Sequence, residues 1–243
     1  MDLMEPLYER ALARQVLPSM GFVDQAAELL MQAKGIRKHV KQRLIKRLCN
    51  EPQRVLSWQW VDSELQYFFD EHPIAQVIEV GAGFSTRFHR LSFDSDWPQF
   101  SWLQIDSEAV VNTAKAMFPK TDNYHYLAHD FCALTWVPNL HFDKPAVVVV
   151  EDENLSEDLA LSLYSCEQLL AATGHMHLII KVSEGVCDAL FKAFSGRIKL
   201  INRLRLCRSQ EFNFKNLWSG VSGRNIKKTN LLHLELESKA GLE

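Results

Sequence analysis

The sequence predicts an α/β protein in which a doubly wound, mostly parallel sheet ends in an antiparallel hairpin and follows a helical N-terminal cap. Three observations predict this fold. Residues 5–48 have helical periodicity, short β-rich runs alternate with helical segments after Gln76, and the last two β-rich runs have no helical segment between them. We expect the cap to cover residues 1–72 and the core to cover residues 73–241, as one compact unit.

The cap is predicted from its apolar stripe and its prolines. The stripe consists of Ile36, Val40, Leu44 and Leu48. Apolar residues at intervals of four lie on one face of a helix, so this face is expected to be buried. Pro52 acts as a breaker, and a further helix is predicted at residues 61–70, before Pro73.

The core is predicted from β-rich runs and helix signals. Strands are expected at residues 76–80, 101–105, 124–128, 145–150 and 177–182. The continuous β-branched run at 147–150 is typical of a strand that helices cover on both faces. Helices are expected at residues 156–174 and 185–194, and the terminal antiparallel pair at residues 198–206 and 229–237.

The composition is that of an ordinary globular protein and disfavours several partners. The 243 residues are 47% hydrophobic and 23% charged, and the net charge is −3. This charge gives no bulk attraction to nucleic acid or to anionic membranes, so neither is expected as a partner. The acidic start and the absence of a long apolar run predict a cytoplasmic protein. Because the five cysteines form no CxxC pair, we expect reduced thiols and no metal centre.

The motif that carries chemistry is the segment from Val77 to Gly83, with the sequence VIEVGAG. It places Glu79 two residues before a Gly-x-Gly turn at the end of a strand, where open α/β sheets bind ligands. Glycines lack a Cβ and let an extended ligand lie against the backbone. The nicotinamide fingerprint needs a third glycine where this chain has Thr86, which disfavours an oxidoreductase. A structural turn without a ligand is the alternative.

Further carboxylates follow the other predicted strands. Asp106 ends the second strand, and its acceptor oxygens suit the two hydroxyls of a ribose. It could instead cap the helix that Ser107 begins, and the two roles can coexist. After the third strand, Asp130 and Phe131 could bind an adenine amine and cover the ring, or be a loop acid beside a core aromatic. Glu151 ends the fourth strand and is expected at the same crevice.

Four segments resemble a known family. They are HPIAQVIEVGAGFSTRFHRL, WLQIDSEAVV, LAHDFCALTWV and the N-terminal PLYERALARQ. Together they resemble the leucine carboxyl methyltransferase superfamily, in particular its bacterial branch related to the tetracenomycin polyketide carboxyl methyltransferases. The matching segments span residues 6–151. The resemblance implies a Rossmann-like class I methyltransferase fold that uses S-adenosylmethionine (SAM) and releases S-adenosylhomocysteine, with a helical N-terminal region that helps to close the site.

The resemblance also implies which residues bind the cofactor. Gly81 and Gly83 would lie under it, Asp106 on its ribose, Asp130 and Phe131 by its adenine, and Glu151 near its methionine part, while Arg87 matches the arginine that closes the glycine loop. The expected cofactor-binding residues are Glu79, Gly81, Ala82, Gly83, Arg87, Asp106, Asp130, Phe131 and Glu151.

The chain departs from the family pattern at three places. Ser85 stands where the family usually has Asp, and Ser57 stands where an arginine often holds the methionine carboxylate, so that Arg54 or Arg10 would have to substitute. After the fourth strand, the run Glu151-Asp152-Glu153-Asn154-Leu155 replaces the usual acceptor-site sequence. A non-catalytic SAM-binding protein is therefore the principal rival of an active enzyme.

The expected reaction is methylation of a small-molecule acceptor, with a carboxylate favoured by the resemblance. Methyl transfer needs no nucleophilic residue, and an ionised carboxylate needs no general base. A phenol or alcohol acceptor would more often need a base, for which His89, His129 and His177 are candidates. Because each is isolated in the sequence, the favoured interpretation is a surface or core histidine. The aromatic-rich segment 210–228 is either a lid over the acceptor or padding at the sheet edge.

One basic segment is weighed as a docking surface. Half of the residues from Lys34 to Arg47 are Lys or Arg, and none is acidic. Such a segment could dock an acidic carrier protein, but a solvated outer helix face is the favoured interpretation.

Overall fold

The computed structural model describes residues 4–93, 98–129, 144–150, 167–168, 175–208 and 227–237. Seven strands and seven α-helices are assigned within these ranges. The helices are α1 (Glu5–Val16), α2 (Gln25–Lys34), α3 (Lys38–Asn50), α4 (Gln53–Glu71), α5 (Arg87–Leu91), α6 (Glu108–Met117) and α7 (Glu184–Ala193). The strands are β1 (Gln76–Val80), β2 (Ser101–Asp106), β3 (Tyr124–Ala128), β4 (Ala146–Val150), β5 (His175–Ser183), β6 (Ile198–Arg208) and β7 (Lys227–Glu237). Among these residues, no helix combines the length and the apolar character that a membrane span needs.

The sheet confirms the predicted fold class. Its strand order is β3-β2-β1-β4-β5-β7-β6, and the first five strands pair in parallel. β7 runs antiparallel to both of its neighbours, β5 and β6, which makes the predicted C-terminal hairpin. The chain winds from β1 outward to β3 and then crosses to β4, so the winding direction reverses between β1 and β4. Open α/β sheets bind ligands at such a switch point.

Both faces of the sheet are buried in apolar clusters, as the β-branched run of β4 predicts. Val147 and Val149 pack on one face with residues of α4, including Phe68. Val148 and Val150 pack on the other face with residues of α7, including Leu190. A parallel strand covered on both faces contains only apolar residues, which explains the sequence of this strand.

The N-terminal helices form a third apolar cluster, which continues onto the core. Leu7 and Leu12 of α1 and Leu44 and Leu48 of α3 are buried in it. Phe84, which follows β1, belongs to the same cluster. The predicted division into a cap and a core falls where α4 ends, and it stays a prediction.

One helix boundary in this region corrects the sequence analysis. α4 begins at Gln53 and not near Val61, with Pro52 as its N-cap. Proline has a fixed φ that suits the first positions of a helix, so Pro52 begins this helix as well as following α3.

The basic segment forms most of α3, and its basic side chains divide between contacts with α1 and exposure to solvent. Arg43 and Arg47 pair with Glu5 and Glu9 of α1. Lys34, Arg37, Lys38 and Lys46 are exposed. This arrangement is that of a solvated helix face, and docking of a carrier protein there stays a prediction.

Candidate functional site

The glycine loop follows β1 and leads into α5. Gly81 and Gly83 have φ values of +65° and +61°, a left-handed conformation that side chains other than glycine rarely adopt. The Gly81 N–H donates to the carbonyl of Ile105 at 3.0 Å. No atom lies within 4 Å of the position that a Cβ would take at Gly83. The loop therefore has an open side, as a surface that receives a ligand requires.

Asp106 lies beside this loop at the end of β2. One of its carboxylate oxygens accepts from the Gly83 N–H at 2.8 Å, and the other accepts from the Ser107 N–H at 2.8 Å. Ser107, and not Asp106, is the N-cap residue of α6, so Asp106 contacts the residue that precedes this helix together with the glycine loop. A carboxylate offers about four acceptor positions. Two of these positions accept from backbone N–H groups, and the other two can accept from hydroxyl groups of a ligand.

Buried polar side chains fix the far side of the loop. The Gln104 amide donates to the carbonyl of Gly83, and the Tyr124 hydroxyl donates to the Gln104 side-chain oxygen at 2.7 Å. Gln104 is fully buried. Burial raises the pKa of Tyr124, so its hydroxyl keeps its proton and remains a donor. β2 and β3 together hold the loop in one conformation.

Glu79 lies beneath the loop and is 1% exposed. Its carboxylate accepts from the Ser85 hydroxyl at 3.0 Å, from the Trp102 indole N–H at 3.1 Å and from the Arg87 guanidinium. The position of Ser85 explains why a serine is suitable there. Its hydroxyl donates a hydrogen bond to Glu79, whereas an Asp would bring a second negative charge beside that carboxylate. Both Glu79 and Arg87 support the loop from inside, and direct contact with a cofactor stays a prediction for them.

A network of six buried or half-buried charges joins the loop to the N-terminal helices. Its members are Arg10, Asp24, Asp62, Glu79, Arg87 and Arg90. Asp62 of α4 accepts from Arg87 Nε at 2.9 Å and from Arg90 Nε at 2.8 Å. We call this set the six-charge network. Three carboxylates face three guanidiniums, so its formal charges cancel.

Asp24 is the centre of this network on the N-terminal side. It caps α2 by accepting from the Ala27 N–H at 3.0 Å, and its other oxygen accepts from Arg90 and from the Thr86 hydroxyl. Burial by itself raises the pKa of Asp24, but the attraction of Arg90 and Arg10 outweighs it and leaves the pKa below its usual value. Asp24 is therefore ionised at neutral pH.

The two arginines that were expected to replace the missing arginine at Ser57 differ in position. The Arg10 guanidinium donates to the carbonyl of Phe84 and, at 3.3 Å, to the Thr86 hydroxyl, so it reaches the glycine loop. Arg54 pairs with Glu9 at 2.6 Å. Of the two, Arg10 is the one beside the loop.

The remaining predicted site residues divide into two groups. Ala82 is half-buried within the loop, and His129 is exposed at the end of β3, where its N–H donates to the carbonyl of Asp106 at 3.2 Å. Asp130, Phe131 and Glu151 lie outside the described residues. The predicted helix at 156–174 also lies outside them, except for Glu167 and Gln168, and so does most of the aromatic-rich segment 210–228. Their roles stay predictions.

Three members of the six-charge network, Asp24, Asp62 and Arg90, were not predicted from the sequence as site residues. Arg90 is the one with a local signal, because it lies three residues after Arg87 on the same short helix. Asp24 and Asp62 are 66 and 28 residues from Arg90 in sequence. No local pattern reports pairs of that separation.

The fold agrees with that of known proteins. No protein-family model matches the sequence. The chain is 24% identical to the tetracenomycin polyketide synthesis O-methyltransferase TcmP of Streptomyces glaucescens over 84 residues, which are 35% of this chain and 30% of that protein. A crystal structure of a putative methyltransferase from Thermobifida fusca superposes with a TM-score of 0.52 at 13% identity, covering 91% of this chain and 98% of the other. The chain has the Rossmann-like methyltransferase fold.

The feature of the sheet that matters for this assignment is β7, which lies between β5 and β6 and runs antiparallel to both. A parallel sheet closed by an antiparallel strand pair distinguishes the methyltransferase fold from the dinucleotide-binding sheets of oxidoreductases. At 13% identity the structural likeness establishes the fold and not the activity. The match to TcmP spans about a third of that protein.

Proposed function

We propose that the protein is a SAM-dependent methyltransferase that binds its cofactor over the glycine loop and beside Asp106. The observation that carries the proposal is the contact between the Asp106 carboxylate and the Gly83 N–H, at the point where β1 and β2 end. It supports the proposal because unused acceptor positions of Asp106 lie next to a backbone that an extended ligand can approach.

The residues present fit this cofactor. Gly83 has an open side, and Asp106 keeps unused acceptor positions. The family resemblance adds Asp130 and Phe131 for the adenine and Glu151 for the methionine part. SAM would supply an electrophilic methyl group. The task of this chain is then to hold donor and acceptor in line, which can lower the barrier by several kcal/mol. A loop fixed by Gln104 and the six-charge network suits that task.

The acceptor is proposed to be a carboxylate of a small molecule. The support is the resemblance to the leucine carboxyl methyltransferase superfamily and the name of TcmP, an O-methyltransferase of polyketide synthesis. An ionised carboxylate needs no general base. His89 is half-buried with its ring 5.2 Å from that of Phe118, and burial lowers its pKa. This core position agrees with a mechanism that uses no catalytic histidine.

Asp106→Ala tests the cofactor site. Loss of two charge-assisted hydrogen bonds of about 1.5–3 kcal/mol each is expected to weaken SAM binding by at least about tenfold in calorimetry. The free energy of unfolding should fall by about 1 kcal/mol, because Gly83 and Ser107 lose an acceptor. The exposed Asp122→Ala is the control and should change neither quantity. An unchanged SAM dissociation constant would remove Asp106 from the site, and binding of NAD in place of SAM would favour the oxidoreductase.

The acceptor class has its own test. We expect the protein, given methyl-labelled SAM and a panel of small carboxylic acids, to form products that release labelled methanol in mild base. Methyl esters hydrolyse under these conditions, whereas methyl ethers and methylamines do not. The corresponding primary amides are the matched controls and should stay unlabelled. A base-stable labelled product would exclude the carboxylate. SAM binding without any transfer across the panel would support the non-catalytic rival.

A further inference from the structure

We propose that His175, His177 and Glu235 form a binding site for a divalent transition metal ion, with zinc the best match. Their ligand atoms all lie within 4.8 Å of one another. His175 and His177 are two residues apart on β5, so their side chains lie on the same face of the sheet. Glu235 is the direct cross-strand partner of His177 on β7. The three side chains therefore converge on one point.

One distance within this cluster is close to that of a metal site, and the others are at most 4.8 Å. His175 Nε2 lies 3.0 Å from one carboxylate oxygen of Glu235. Zinc binds nitrogen and oxygen ligands at about 2.0–2.2 Å, so its tetrahedral ligand atoms are roughly 3.3–3.6 Å apart. The side chains of His175 and Glu235 are 46% and 21% exposed. Both side chains are exposed enough to rotate toward an ion, and the ion can enter from solvent.

A buried hydrogen-bond chain selects the tautomer of His177 that a metal requires. The Glu64 carboxylate lies 2.7 Å from His233 Nδ1, and His233 Nε2 lies 3.0 Å from His177 Nδ1. A carboxylate only accepts, so His233 donates from Nδ1, and in the neutral form of its ring it accepts at Nε2. His177 must then carry its proton on Nδ1. Its Nε2 keeps a lone pair, as a metal ligand needs, and the carboxylate–histidine chain behind it is the usual support of such a ligand.

Two further features of the hydrogen-bond chain from Glu64 through His233 agree with a role of His177 as a metal ligand. Asn202 donates to the second oxygen of Glu64, which fixes the carboxylate. His233 is fully buried and His177 is 7% exposed.

One cation already contacts the cluster. Lys199 on β6 donates to the second carboxylate oxygen of Glu235 at 2.7 Å. This contact leaves the oxygen that faces His175 for the metal, and it orients the carboxylate as second ligand partners do. Lys199 is 71% exposed, so its charge can move away from an arriving cation.

Two imidazoles and one carboxylate indicate the class of metal. Zinc accepts this set in a four-coordinate site with water in the last position, whereas magnesium and calcium prefer oxygen ligands. The site lies away from the glycine loop. His177 is in register with Val147, and Val147 with Val77, at the opposite end of β1 from Gly81. Zinc binding and SAM binding can therefore be measured independently.

The test is a zinc titration of the full chain after dialysis against a chelator. Calorimetry at neutral pH is expected to give one zinc per chain. His175→Ala, which removes an exposed ligand, should weaken binding by at least about tenfold, since even supporting residues cost about 10- to 100-fold. Glu235→Gln should weaken it similarly. The matched control is His125→Ala, which removes an exposed histidine from β3 and should leave zinc affinity unchanged.

Cobalt gives a second, spectroscopic measure. Cobalt added in place of zinc is expected to show the intense visible absorption of a four-coordinate ion, and His175→Ala should abolish it. The proposal is overturned if the chain binds no stoichiometric zinc. It is equally overturned if His175→Ala and Glu235→Gln leave zinc binding and the cobalt spectrum unchanged. Circular dichroism identical to that of the unchanged chain verifies that each variant is folded.

Discussion

Arg87→Met is expected to lower the free energy of unfolding by about 3–5 kcal/mol. The Arg87 side chain is 3% exposed and pairs with Glu79, whose side chain is 1% exposed. Methionine has nearly the same length but no charge, so the variant leaves a carboxylate buried without its cation. Removing one partner of a buried pair costs this much because the remaining charge is no longer compensated. Urea unfolding followed by tryptophan fluorescence measures the loss.

Two further variants make this result specific. Glu79→Gln combined with Arg87→Met removes both charges and should be more stable than Arg87→Met alone, which shows that the cost lies in the orphaned carboxylate. Arg14→Met changes an exposed arginine of α1 and should alter stability by less than about 0.5 kcal/mol. If Arg87→Met lost no more than Arg14→Met, the pair beneath the glycine loop would not hold the fold as described.

Gly83→Leu is expected to abolish SAM binding. The new side chain would extend into the open space beside the loop, which is where we place the cofactor. A residue other than glycine at a φ of +61° also costs about 1–2 kcal/mol of backbone strain. Calorimetry with SAM and thermal unfolding of the unliganded variant separate the two effects.

The chain supplies a matched control for the strain. Gly21 has a φ of +68°, with no atom within 4 Å of its Cβ position, and it lies outside the glycine loop. Gly21→Leu should lower the melting temperature about as much as Gly83→Leu and leave SAM affinity unchanged. If both variants bound SAM normally, the cofactor would not lie against Gly83.

The fold could be predicted from the sequence because its signals are local. The apolar run of β4 and the alternation of strands and helices depend on residues close together in the chain. The final hairpin was predictable from the absence of a helical period between its strands. The early start of α4 was missed because Pro52 ends one helix pattern and begins the next.

The candidate site was predictable only in part, because only some of its residues are marked by local signals in the sequence. Gly81, Gly83 and Asp106 follow the ends of neighbouring strands, so the strand prediction brought them together. The partners of Arg90 come from other helices, and the metal cluster joins residues 60 positions apart. The cysteine spacing indicated no metal centre. His175 and His177 indicate a metal site only once the structure of the sheet places Glu235 opposite His177.

The six-charge network also defines how far the protein can be trimmed. A fragment that begins at Pro73 would retain every described strand, the glycine loop and Asp106. It would lack Asp24 and Asp62, the carboxylates that neutralise Arg90. Two guanidiniums would then face each other under the loop with Glu79 as their remaining counter-charge in the network. The first 72 residues are thus an internal counterion of the site, and deleting them is an electrostatic change as much as a loss of helices.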